Sequence, residues 1–316
     1  MAALGLASCA EDAELENAAA NSVELARYLP EDSTLVHTID VADARKELGL
    51  PDDVDAAPAD DDFLRDRESP QSKLFGLTSR AFPIVRDAYN IEFNARGSSP
   101  LDGTLIRAAA ADQATSIVST AEPFDQIADK LKRTGYSLEN GLYLADQRTP
   151  ATASPIVAEG GGGRVVFAGE KRDALEILGR IEDEAEPGSA AEALDAVNGS
   201  VRLATTFGIR PRCVDALAAA QSASGKGAIM AITVSGEKPD PDRFDSRALK
   251  GLDTGTTSVL VDSLLVPFNI RRPAGRATEP IDLLLSYSEV IKVRSPGRPA
   301  PGPSPTPADA YDCPEI

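Results

Sequence analysis

Pro155-Ile-Val-Ala158, then Gly160-Gly161-Gly162-Gly163, then Arg164-Val-Val-Phe-Ala168 follow one another with only Glu159 between the first two. Two short runs rich in β-branched and aromatic residues, parted by glycines, predict an antiparallel hairpin. A run of glycines can also cradle a phosphate, but that needs a helix next, whose N–H groups meet the anion. Here Val165-Val166-Phe167 follow, which is strand material. Beyond the hairpin a helix is predicted from Arg172 to Ile181, with Leu175, Leu178 and Ile181 on one face. Strands that pair with their neighbours and alternate with helices predict an α+β fold. Its sheets should be largely antiparallel, with helices packed on one side.

Working outward, the same style continues. Upstream, Leu142–Ala145, Thr115–Thr120 and Gly103–Ala110 read as strands. Pro123 opens a helix from Phe124 to Arg133, whose Phe124, Ile127, Ala128 and Leu131 have helical spacing and which Gly135 ends. Ser33–Ile39 reads as a strand between the helices Val23–Tyr28 and Val41–Leu48, the second capped by Asp40 and stopped by Gly49. Gln71–Tyr89 reads as helical, broken near Pro83. Downstream, helices are predicted at Ala190–Val197, Cys213–Ala220 and Pro241–Leu249. Strands are predicted at Val201–Phe207, Ala228–Ser235, Thr256–Ile270 and Ile281–Val293. The run from Ile117 to Asp125 and the run from Ile232 to Asp245 share an order of strand, acidic turn and Phe-Asp helix start. Two related halves, 23–198 and 199–294, would give that likeness, and so would chance. No Pro/Gly-rich linker divides the sequence before Ser295, which favours one continuous unit.

Composition removes several function classes. There are 316 residues, 42% of them hydrophobic, with aromatics at 5% and no Trp, so the core is built of Leu, Ile, Val and Ala. Thirty-two basic residues against 50 acidic ones give a net charge of −18, a field that repels phosphate backbones and anionic headgroups. Arg271-Arg272 is the nearest thing to a basic patch, so no nucleic-acid partner is expected. The single histidine, His37, removes His-rich zinc sites and leaves a Ser-His-Asp triad one candidate base. It falls between Leu35 and Ile39 on a predicted strand, where a core-facing or edge role fits better than catalysis. No metal and no cofactor are expected. Ser224-Gly225-Lys226-Gly227 lacks the earlier Gly and the following Ser or Thr of a phosphate loop, and it reads as a loop before a strand. Asp52, Asp53, Asp55, Asp60, Asp61 and Asp62 offer hard oxygens for Ca²⁺, but their spacing is not that of an EF-hand, so a solvated acidic loop is expected. Asp240, Asp242 and Asp245 read the same way, with Asp242 near a helix start. Asn198-Gly199-Ser200 reads as a turn. No catalytic residue can be assigned.

The two ends are the most informative parts. Leu6-Ala7-Ser8-Cys9 matches the bacterial lipobox, at which a signal peptide is cut and the cysteine lipidated. Everything before Cys9 is apolar or small, and Ala10–Ser22 turns acidic and Ala/Asn-rich, in the manner of a flexible tether; residues 1–22 are therefore read as signal remnant and tether. From Ser295 to Pro307 prolines recur, which predicts an extended tail over 295–316. If Cys9 is lipidated, Cys213 and Cys313 remain for a disulfide, as an oxidising compartment allows. It would close a loop of about 100 residues and contribute roughly 4–5 kcal/mol through loop-closure entropy.

With its lipobox, acidic Ala-rich composition and Pro-rich end, the protein resembles lipoproteins of high-GC Gram-positive bacteria. The resemblance implies attachment at the outer face of the cell membrane through Cys9 and carries no catalytic residues. The function expected is non-enzymatic binding of a small-molecule or envelope-protein ligand. The alternative is a carboxylate-based hydrolase of the cell envelope, for which two convergent carboxylates would be required.

Overall fold

The computed structural model describes residues 21–56, 69–81, 101–145, 155–195, 197–206, 216–224, 227–232, 256–261 and 264–269. They form a mixed α+β structure with antiparallel strands throughout. The protein divides into two compact units. One takes Met1–Pro30 and His37–Pro187, and the other takes Glu31–Val36 and Gly188–Ile316.

In the first unit the elements are α1 (Ser22–Arg27), β1 (Leu35–Asp40, with its first two residues in the second unit), α2 (Val41–Glu47), α3 (Pro70–Ala81), β2 (Ile106–Ala111) and β3 (Thr115–Thr120). They are followed by α4 (Phe124–Thr134), β4 (Tyr136–Glu139), β5 (Leu142–Ala145), β6 (Ile156–Glu159), β7 (Arg164–Ala168) and α5 (Lys171–Glu182). The strand order is β1-β2-β3-β7-β6-β5-β4. One register row runs across all seven strands as His37, Ala111, Ser116, Phe167, Val157, Tyr143 and Leu138. The next row reads Thr38, Ala110, Ile117, Val166, Ala158, Leu142 and Glu139. Because side chains alternate across a strand, these rows face opposite sides of the sheet. Burial does not alternate: every residue of β3 is buried, as are Ala108–Ala111 of β2 and Val165–Ala168 of β7. The centre of this sheet is therefore covered on both faces, and Ala-rich β2 fits where little space is left.

The four-glycine stretch forms the expected turn between β6 and β7. Gly160 and Arg164 are joined across it, and Gly161, Gly162 and Gly163 all have positive φ. Gly163 matters most, because a Cβ there would lie 2.8 Å from the carbonyl oxygen of Thr120 on β3. The same closeness lets Thr120 N–H donate to the Gly163 carbonyl at 2.9 Å. Helix α4 follows its apolar spacing, burying Ile127, Ala128 and Leu131, and Gly135 closes it in the left-handed conformation. Phe124 sets its ring edge-on to Tyr143 of β5 at 5.9 Å. Arg164 stacks over Tyr28 at 5.3 Å, a cation–π contact just beyond α1.

In the second unit, α6 (Ser189–Asp195) packs against β8 (Val201–Thr206) and β9 (Ala216–Gln221), and β10 (Gly227–Ile232) continues the antiparallel ladder from β9. β11 (Thr256–Val261) and β12 (Leu264–Asn269) make an antiparallel pair. The early segment Glu31–Val36 belongs here: the Thr34 carbonyl accepts Thr206 N–H at 2.9 Å and Thr205 Oγ1–H at 3.1 Å.

Several sequence expectations are corrected. Within the helix expected over Cys213–Ala220, the described residues 216–220 are strand, part of β9. Its Ala-Leu-Ala-Ala-Ala run favours helix intrinsically, but ladders to β8 and β10 on both sides outweigh that preference. Thr256–Ile270 is two strands and not one, with Val261 paired to Leu264. Tyr136–Glu139 is a strand that the pattern did not suggest. On α5 the buried residues are Ala174 and Ile177, while Leu175 is 56% exposed. The stripe facing the protein runs 174, 177, 178, 181, and Leu175 is turned off it. Asp40 precedes α2 but does not cap it with its carboxylate; Oδ1 accepts Ser22 N–H at 2.8 Å instead.

Candidate functional site

The densest polar constellation in the first unit surrounds residues 101–105, a loop that leads into β2; the strand expected to start at Gly103 starts at Ile106. The loop shapes itself first. Asp102 Oδ1 accepts Thr104 N–H at 3.0 Å and Thr104 Oγ1–H at 2.7 Å, and Leu105 N–H returns to the Asp102 carbonyl at 3.0 Å. This is the local turn that Asp and Thr favour.

Two opposite charges then fix the loop. Arg45 comes from α2, where it lies on the same stripe as Val41 and Ala44 and is 0% exposed. Its Nη2 donates to the Gly103 carbonyl at 2.7 Å, Nη1 to the Ile106 carbonyl at 3.0 Å, and Nε to the Val54 carbonyl at 2.9 Å. Burial holds this guanidinium below its ordinary pKa range and the Arg107 charge adds to that, while Asp55, Asp52 and Asp53 act in the opposite sense. The described part of the acidic loop is thus a counter-charge to a buried cation.

From just past β3 comes Glu122, its side chain 2% exposed. One carboxylate oxygen accepts Asp102 N–H at 2.8 Å, and the other is paired with Lys130 Nζ on α4. The turn beneath is closed by Thr120 Oγ1, which accepts Glu122 N–H at 3.1 Å and donates to the Leu105 carbonyl at 3.3 Å. Ala121 N–H donates to the same carbonyl at 3.0 Å. Charge-assisted bonds of this kind are the strong ones in a protein interior.

Chemically, the arrangement is a clamp. Arg45 donates to backbone carbonyls, and both oxygens of Glu122 are engaged. Asp102 and Glu122 are the carboxylates that the loop brings together, and the second is buried against Lys130. Among the described residues no three His, Cys, Asp or Glu side chains gather closely enough to hold a metal ion. Nor, among them, is any helix long and apolar enough to cross a membrane.

The lipidation residue Cys9 and the disulfide residues Cys213 and Cys313 lie outside the described residues, as do Asp60, Asp61, Asp62, Asp240, Asp242, Asp245, the Pro-rich tail and the expected elements at 241–249 and 281–293. His37 is on β1 opposite Ala111, half-buried. Ser224 and Gly227 fall between and at the edge of two paired strands, β9 and β10. Sequence reasoning missed Arg45, Glu122 and Lys130. The signal for Arg45 was present: a lone cation on the otherwise apolar positions 41, 44, 45 and 48 of a helix. No family model matches this sequence, and no similar curated protein or solved structure was found.

Proposed function

We propose that this protein is an envelope lipoprotein, held at the outer face of the cell membrane by lipid on Cys9. Its α+β part then serves as a non-enzymatic binding module for a small-molecule or envelope-protein ligand. The observation that carries the reading is Leu6-Ala7-Ser8-Cys9 followed by the acidic, Ala-rich residues 10–21. The first described element, α1, starts directly after them, with Asn21 Oδ1 accepting Val23 N–H at 3.0 Å. Residues 10–21 would bridge anchor and fold. Each buried acyl methylene contributes about 0.8 kcal/mol, so two or more acyl groups hold a protein at the bilayer. The binding role is supported by the work of the buried charges: Asp40, Arg45 and Glu122 all bond backbone groups and so build the scaffold.

In this setting Cys213 and Cys313 would be joined, since the compartment is oxidising. The test is metabolic labelling with radioactive palmitate of bacteria expressing the complete reading frame. Label on the protein, lost in Cys9→Ala, is expected; an unlabelled parent protein would end the reading. An intact mass of the unreduced protein showing two free thiols would remove the disulfide without touching the anchor.

A further inference from the structure

The sequence holds two Asn-Gly pairs, Asn140-Gly141 and Asn198-Gly199, and the fold treats them differently. Asn140 and Gly141 are the two residues of the turn between β4 and β5, with φ of 51° and 81°, and both are exposed. Positive φ at both central residues is the mark of a tight hairpin turn that Asn-Gly suits. A Cβ on Gly141 would meet nothing within 4 Å. β4 is also the last strand in the order of its sheet and is short. Asn198 is exposed too, but Gly199 is pressed onto β9: a Cβ there would lie 2.6 Å from the Gln221 carbonyl oxygen and 2.8 Å from its nitrogen.

We propose that Asn140 is a site of spontaneous backbone modification, and that Asn198 is shielded from the same reaction by packing. The backbone nitrogen of Gly141 attacks Cγ of Asn140. A new C–N bond closes a five-membered imide, the bond from Cγ to Nδ2 breaks, and Nδ2 leaves as ammonia with the Gly141 proton. Water then opens the imide at either carbonyl, giving aspartate or isoaspartate at position 140. No oxidant or reductant is needed. Glycine as the next residue favours the attack, since no side chain shields its nitrogen. The left-handed turn must unwind first, so the rate reports how often the β4–β5 hairpin opens. End strands and exposed turns open most easily.

The product has a structural consequence. Isoaspartate inserts an extra methylene into a two-residue turn whose length fixes the pairing of Glu139 with Leu142. Glu139 also carries the ion pair to Lys171 at the start of α5, with Oε1 and Nζ 2.9 Å apart. Modification therefore loosens the outer strand and its tie to that helix, whereas aspartate in the same place leaves the backbone length unchanged.

The test is to incubate the full-length protein at neutral to mildly alkaline pH, then map peptides by mass and by isoaspartate-specific methylation. Conversion at 140 should exceed that at 198 by at least about tenfold, the factor that follows from a difference of about 1.4 kcal/mol in local opening. Denaturant should bring the two sites together. In Asn140→Asp the amide exchange of β4 should match the unmodified protein, while the isoaspartyl fraction should exchange faster. Equal conversion at both sites in the folded protein, or none at 140 when the denatured protein reacts, would overturn the proposal.

Discussion

Arg45→Met is the sharpest test of the clamp around residues 101–106. Methionine fills much of the same space but has no donors. Three carbonyls lose the guanidinium, and that of Gly103 keeps another donor, Ala56 N–H at 3.3 Å. The carbonyls of Val54 and Ile106 are left without the bond the guanidinium gave them, at about 1–3 kcal/mol each. Against this, a desolvated charge disappears, and that relief can reach several kcal/mol where the charge is poorly compensated. Here the guanidinium has three acceptors and nearby carboxylates, so the loss outweighs the relief. A net destabilisation of about 2–4 kcal/mol is expected, or roughly 10 °C in a unit of this size. The protein has no Trp, so unfolding is followed by far-ultraviolet circular dichroism and tyrosine emission. Amide exchange should quicken first at residues 50–56 and 101–106. A variant within about 0.5 kcal/mol of the parent, the range of ordinary surface changes, would refute the reasoning.

Two further outcomes follow from backbone geometry. Gly163→Ala sets a Cβ 2.8 Å from the Thr120 carbonyl at φ 72°, and should cost about 1–3 kcal/mol in denaturant melts, with β3 and β7 exchanging faster than β4 and β5. Glu184 has φ 50° just past α5, with Glu182 and Asp183 beside it. Left-handed backbone favours glycine and a helix end disfavours acids, so Glu184→Gly should raise the melting temperature by the equivalent of about 1 kcal/mol.

Much of the fold was legible because its signals are local. The glycines at 160–163 and the strands beside them specify a hairpin within a short window. Helix α4 shows its stripe at 124, 127, 128 and 131, and β3, β5 and β7 have the bounds their composition suggested. The misses are places where distant partners decide. β9 is alanine-rich and becomes a strand because β8 and β10 flank it. β11 and β12 are parted in sequence by Asp262-Ser263, which lacks the Gly or Asn that usually marks a hairpin. β4 could have been found from Asn140-Gly141 alone. The clamp was hidden for another reason: its acceptors are backbone carbonyls, which every residue possesses, so nothing in the sequence at Val54, Gly103 or Ile106 distinguishes them.

The placement of Glu31–Val36 has a consequence for the order in which the protein can form. Thr34 finds its partners Thr205 and Thr206 only after a separation of 171 residues in the hydrogen bond to Thr205. As the polypeptide is made, this segment waits for β8. Closing so long a loop is slow relative to pairing neighbours. Completion of the second unit is therefore timed by the arrival of residues 188–206, and a polypeptide truncated before them leaves Thr34 without these two partners.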